Sequence, residues 1–265
     1  MELNKIYNQD CLIGMQEIPD KSVDCVICDL PYGTTACKWD SIIPFEPLWE
    51  QYKRIIKPTA PIVLFSQQPF TSALIMSNVA MYKYNWIWQK DNASNFLLAS
   101  HQPLKVTEDI CVFGYGATTN SPQGVYLNYN PQKEQGGKPY VQSSGKQRED
   151  TAIMRGNKNA TKGGYITTSN GERFPKNIIR FNRDKDRYHP TQKPVDLIRY
   201  LIRTYSNPGD TILDNCMGSG TTAIASVLEN RKFIGFETNK EYFDKANERL
   251  RKLTGPFHIY GNIGE

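Results

Sequence analysis

Two stretches of this chain carry residue types and spacings suited to chemistry on a planar, nitrogen-bearing ligand. The first is Asp29-Leu30-Pro31-Tyr32-Gly33, which follows the largely apolar run Val23 to Cys28. Pro31 holds Leu30 in an extended conformation and has no N–H of its own. That leaves the Leu30 carbonyl free to accept a hydrogen bond, beside the carboxylate of Asp29 and the flat π face of Tyr32. Two acceptors next to an aromatic plate suit an exocyclic amino group on a planar base. Accepting hydrogen bonds from both of its N–H groups favours a pyramidal nitrogen. The lone pair, otherwise delocalised into the ring, then becomes available for attack. An ordinary strand-to-loop turn uses the same residue types, so this stretch alone decides nothing.

The second stretch is Asp214-Asn215-Cys216-Met217-Gly218-Ser219-Gly220-Thr221-Thr222-Ala223, read as a strand end running into a helix. Glycines at such a junction permit a tight turn and close approach of a ligand to the backbone. Glu237 stands nineteen residues after Gly218 and ends the next strand. A carboxylate there can accept hydrogen bonds from ribose hydroxyls. Gly218, Gly220 and Ala223 also satisfy the dinucleotide pattern G-x-G-x-x-G/A, so NAD and S-adenosylmethionine both fit, as does a bare glycine turn.

These stretches need a scaffold that brings strand ends together. Short apolar runs alternate with helical spacing: strands over Lys5–Gln9, Val23–Asp29 and Pro61–Ser66, and helices over Phe45–Ile56 and Thr71–Met76. Tyr84–Gln89 and Asp109–Phe113 read as strands near a sheet edge. A second alternating block has helices at Val195–Tyr205, Thr221–Glu229 and Lys240–Leu253, and strands at Thr211–Asn215 and Lys232–Glu237. Pro194 suits the first turn of one helix and Asn239 the cap of another. Strands alternating with helices imply an α/β fold with a mostly parallel sheet covered on both faces. In such sheets ligands bind outside the carboxyl ends of the strands, where both stretches lie.

The chain has 265 residues, enough for a full core, and is 39% apolar and 22% charged, an ordinary globular mixture. No apolar stretch is long enough for a membrane helix, and Met1 to Asp10 lacks a signal-peptide layout, so a cytoplasmic setting is expected. Cys25 and Cys28 have C-x-x-C spacing, but residues three apart on a strand face opposite ways, and the chain has three histidines, so no metal site is expected. Net charge is +5, yet residues 117–180 hold ten Lys or Arg against four Asp or Glu, which leaves −1 for the rest. That quarter, rich in Gly, Asn, Ser, Thr and Gln, is either a solvated insertion or a polyanion-binding region. Tyr126, Tyr129, Tyr140, Tyr165 and Phe174 interleave with its basic residues, as a nucleic-acid surface or a small local core would have them.

Asp29-Leu30-Pro31-Tyr32 resembles the D-P-P-Y tetrad of amino-methyltransferases that act on N6 of adenine or N4 of cytosine. Asp214 to Gly220 resembles their cofactor loop, and His189-Pro190-Thr191-Gln192-Lys193-Pro194 the H-P-x-Q-K-P segment before it. Tetrad, basic insertion, then cofactor loop is the order of the class β DNA methyltransferases of restriction–modification systems and phages. The resemblance covers residues 4–115 and 174–253. It departs at Leu30, where the family usually has Pro; the backbone carbonyl is the functional atom there, so the change is expected to be tolerated.

The resemblance implies a Rossmann-like, S-adenosylmethionine-dependent methyltransferase fold in permuted strand order, the strand with the cofactor loop late in sequence but central. Residues 1–116 and 181–265 would form the catalytic and cofactor-binding domain, and 117–180 a target-recognition insertion contacting double-stranded DNA, with Lys158 and Lys162 as contacts. Asp29, Leu30, Pro31 and Tyr32 would be catalytic. Asp10, Asp29, Thr191, Lys193, Asp214, Asn215, Cys216, Gly218, Gly220, Thr221 and Glu237 would surround the cofactor, with Asp10 on its adenine, Glu237 on the ribose, and Thr191 and Lys193 as candidates for its carboxylate. The target base would flip out of the duplex to be reached. The family's cytosine members more often begin the tetrad with Ser, so Asp29 favours adenine, with N4-cytosine the alternative. A homodimer and a cognate restriction endonuclease are compatible partners. A NAD-dependent oxidoreductase and a catalytically silent DNA-binding protein are the competing classes; the first would leave the tetrad without a task.

Overall fold

The computed structural model describes residues 1–34, 40–119, 121–143, 166–186, 188 and 191–255. In chain order its strands are β1 Lys5–Tyr7, β2 Cys25–Asp29, β3 Pro61–Ser66, β4 Tyr82–Ser94, β5 Lys105–Gly114, β6 Tyr140–Ser143, β7 Ile166–Ser169, β8 Ile178–Arg180, β9 Thr211–Asp214 and β10 Lys232–Phe236. Its α-helices are α1 Cys11–Gly14, α2 Phe45–Ile55, α3 Phe70–Ser77, α4 Val195–Tyr205, α5 Thr221–Leu228 and α6 Lys240–Thr254.

Among the described residues, eight strands form one sheet in the order β1-β10-β9-β2-β3-β5-β4-β8. All neighbours pair in parallel except β5, which runs antiparallel to both β3 and β4. The late strand β9 lies between β10 and β2, as the permuted order requires. Val26 of β2 pairs with Leu213 of β9, so Asp29 and Asp214 leave the sheet at the same edge on adjacent strands.

The central strands are apolar throughout because both of their faces are covered. Val26 and Cys28 of β2, with Ile62 and Leu64 of β3, pack under α2 and α3. The alternate residues Cys25, Ile27, Val63 and Phe65 pack under α4. Cys25 and Cys28 therefore lie in different core layers. Leu48, Trp49, Tyr52 and Ile55 make the buried stripe of α2. Asn239 caps α6, accepting from the Glu241 and Tyr242 N–H groups. Pro194 takes the cap position of α4 rather than its first turn, and the Val195 N–H is met by Asp184.

β4 and β5 extend well beyond the apolar cores expected for them. Their added lengths carry Lys90, Asp91, Lys105 and Glu108, which gave no period-2 apolar signal. Within 117–180, Leu127 is buried in the main core and β8 pairs with β4, so both ends of that stretch join the main fold. The short strands β6 and β7 pair with each other. Arg173 ties this unit together, donating to the Lys138 carbonyl and the Ser169 hydroxyl and lying over the Tyr140 ring. Tyr126, Tyr129, Tyr140 and Phe174 are exposed, and Lys133 sits over Phe174; they are not a local core. Tyr165, Lys158 and Lys162 lie outside the described residues.

Candidate active site

One cleft of about 580 Å³ opens at the carboxyl ends of β2, β9 and β10. Both stretches singled out above line it: Asp29, Leu30, Pro31 and Tyr32 on one side, and Asp214 through Ser219 with Thr221 on the other. Asp10, Thr191, Lys193 and Glu237 complete the lining, so the structure brings together residues from five separate segments. Gly220 does not line the cleft. At φ +81 it turns the chain into α5, and a Cβ there would stand 2.9 Å from the Ala246 Cβ, so glycine lets α5 and α6 approach.

The turn after β2 is held at both ends. Asp40 accepts from the backbone N–H groups of Tyr32, Gly33 and Thr34 at 2.8, 2.9 and 2.9 Å. The Tyr32 hydroxyl donates to Asp29 Oδ1 at 2.7 Å, and its ring leans on Phe70 of α3 with centroids 5.2 Å apart. Lys193 Nζ donates to Asp29 Oδ2 at 2.6 Å. The ammonium expected to face a cofactor carboxylate thus rests on the acceptor turn, 3.3 Å from Glu108 Oε2 as well. Glu108 in turn meets Lys90 at 2.5 Å.

The glycine loop is pinned from several sides. Glu237 accepts from the Gly218 and Asn239 N–H groups at 2.8 and 2.7 Å. Asp214 accepts from the Cys216 N–H at 3.0 Å. Oδ1 of the Asn215 side chain accepts from the Tyr52 hydroxyl at 2.5 Å from beneath. Arg249 of α6 donates to the Ser219 carbonyl and to the Thr221 hydroxyl. Gln192 accepts from the Ser219 hydroxyl and donates to Asp184, which joins the segment before α4 to the loop. Asp10 caps α1 through the Leu12 and Ile13 N–H groups and still lines the cleft. The Glu237 N–H donates to the Tyr7 carbonyl, which sets Asp10 and Glu237 at the same end. Asp40, Tyr52, Glu108 and Arg249 carried no functional signal in the sequence, Tyr52 reading only as part of an apolar helix face, because none belongs to a local site motif and each acts across the fold.

Burial sets the electrostatics. It pushes the Asp214 carboxyl up to about 6, against hydrogen bonds from Thr222 and the Cys216 N–H. It also raises Glu237, against the Asn239 and Gly218 N–H groups. Asp29 is raised by burial, opposed by Lys193. For Lys193, burial works against the charge but Asp29 and Glu108 outweigh it, so its pKa is raised and it stays an ammonium. For Glu108, burial is outweighed by Lys193 and Lys90, and its pKa is lowered. Burial lifts the Cys28 thiol to about 12, so it is protonated and unsuited to nucleophilic work.

The Rossmann-like sheet brings a glycine loop, the Glu237 carboxylate and the Asp29 turn to one central cleft, an arrangement that suits a methyltransferase. The chain belongs to the N6/N4 methyltransferase family, described as DNA methylase, whose model matches residues 23–248; it is a DNA amino-methyltransferase of class β. It is 28% identical to the type II methyltransferase M1.MboII of Moraxella bovis, over 96% of this chain and 98% of that protein. It is 27% identical to the DNA adenine methyltransferase YhdJ of Escherichia coli K12, over 94% of this chain and 83% of that protein. Two solved structures share the fold. The M1.HpyAVI–SAM complex has a TM-score of 0.60 at 23% identity, covering 93% of this chain and 99% of that one. The PvuII DNA methyltransferase, cytosine-N4-specific, has 0.63 at 13% identity, covering 98% and 88%. Among the described residues no helix is long and apolar enough to cross a membrane.

Proposed function

We propose that this DNA methyltransferase transfers a methyl group from S-adenosylmethionine to N6 of an adenine flipped out of double-stranded DNA. The observation that carries the reading is the meeting of the Asp29 turn and the glycine loop in one cleft. The residues present suit the cofactor. Glu237 and Asp10 offer acceptors at one end, the Gly218–Ser219 backbone lies beside them, and the cleft continues from there to Asp29. When bound, S-adenosylmethionine supplies an electrophilic methyl on a sulfonium sulfur.

Asp29 and the Leu30 carbonyl accept the two amino hydrogens, and the Tyr32 ring stacks on the base. With the cofactor bound, the nitrogen lone pair would form the new N–C bond as the methyl–sulfur bond breaks and its electron pair returns to sulfur, leaving a neutral thioether, and the extra proton would leave toward Asp29. No enzyme nucleophile is needed, in keeping with the protonated thiols around the cleft. Positioning and exclusion of water supply the acceleration. Residues 117–180 would carry the DNA contacts, with Lys158 and Lys162 against the phosphates.

The test is transfer of labelled methyl to unmethylated DNA, followed by nucleoside analysis. N6-methyl-2′-deoxyadenosine is expected; N4-methyl-2′-deoxycytidine would keep the mechanism and overturn the choice of base. Asp29→Ala should abolish transfer while calorimetry still finds the cofactor bound. Retained turnover would remove Asp29 from the chemistry.

A further inference from the structure

Glu108 has no part in the reaction just described, yet it lines the same cleft. It comes from β5, the antiparallel strand, and its side chain is 13% exposed. Oε1 holds Lys90 at 2.5 Å, while Oε2 is fully buried, lies 3.3 Å from Lys193 Nζ and has no aligned hydrogen-bond donor among the described residues. Asp29, Lys193, Glu108 and Lys90 therefore alternate in sign across four separate elements. Burying such a chain of charges is a poor route to stability, since apolar residues of the same volume serve as well or better. Its place against the acceptor turn points to the reaction instead.

We infer that Glu108 is a positioning residue for methyl transfer: by sharing Lys193 with Asp29, it keeps the Asp29 carboxylate able to accept the amino hydrogens of the target base. This rests on the reading of Asp29 as that acceptor. One Asp29 oxygen already takes the Tyr32 hydroxyl and the other the Lys193 ammonium. Without the charge on Glu108, the ammonium would settle wholly on Asp29 and drain its acceptor strength. In a site shielded from water such a shift is felt strongly. The groups facing this pair are Cys28 of β2, Tyr32 of the turn, Lys90 of β4, Glu108 of β5 and Asp214 of β9.

The test is Glu108→Gln, which keeps the shape and removes the charge. Initial rates of labelled methyl transfer to unmethylated plasmid DNA are read across pH, with cofactor affinity measured by calorimetry. A several-fold lower kcat is expected, with an unchanged cofactor Kd. Both limbs of the pH profile should move to lower pH. Asp29 loses a like-charged neighbour and ionises earlier, and Lys193 loses one of two carboxylates and deprotonates earlier. Lys90→Gln, which strips Glu108 of its partner, should move both limbs the opposite way and serves on its own if Glu108→Gln does not fold. Glu108→Asp should return the limbs toward their parental positions. Limbs that stay in place in both charge variants, whatever the rate, overturn the inference. Turnover surviving Asp29→Ala would instead sink the reading beneath it.

Discussion

Asp214 should destabilise the protein it helps to build, and the size of that effect follows from its burial. Its side chain is all but enclosed at the end of β9, at 4% exposure, and its pKa rises from 3.8 to about 6. A carboxyl whose folded pKa lies above its unfolded value stabilises the fold below the unfolded pKa and loses that stabilisation as pH rises through the folded one. Between 3.8 and about 6 lie roughly two pH units at about 1.4 kcal/mol each, so the charged form costs about 3 kcal/mol at neutral pH. Asp214→Asn removes the charge and keeps an oxygen for the Cys216 N–H. The new amide N–H₂ needs partners of its own, which offsets about 1–2 kcal/mol of the gain. For a chain of this size the remaining ~1–2 kcal/mol raises Tm by roughly 2–4 °C. The assay is calorimetric unfolding without cofactor at about pH 8 and again near pH 4, just above the usual carboxylate value. The gain should be present at the first and replaced at the second by the small loss that the amide's own demand for partners leaves. A gain equal at both, or a loss that deepens with pH, refutes the assignment of the strain to this carboxylate.

Two further outcomes test the loop and the insertion. Gly220→Ala should lower stability by about 1–2 kcal/mol for its left-handed backbone, with an added clash at Ala246, and should weaken cofactor binding in calorimetry. Gly218→Ala is the control for the stability change alone, since its nearest protein neighbour is 4.0 Å away and only the backbone cost applies to the fold. Replacing Lys158 and Lys162 with Gln should weaken DNA binding and make its log–log salt dependence shallower by roughly two. An unchanged slope would return that segment to a solvated loop.

The elements that read clearly from sequence are those whose cores dictate their pattern. Pro61–Ser66 and Val195–Tyr205 appear with the expected bounds, because continuous burial and a single apolar stripe are strong local signals. β6 and β7 gave no such signal: four-residue strands in a polar stretch stand on pairing with each other and on Arg173. α1 was missed for a related reason, being one turn long and held by its Asp10 cap. The tetrad and the glycine loop were legible because each is a local turn that demands particular residue types.

The sequence by itself determined the alternation of strands and helices, the two turns, and the residue types they present, since these depend on neighbours in the chain. Only the tertiary structure decided that β9 inserts beside β2 and so joins the two turns in one cleft. It also decided that Lys193 rests on Asp29 and Glu108. An ammonium goes to the carboxylates that burial has left unscreened, and which carboxylates those are depends on strands that meet only after the sheet has formed.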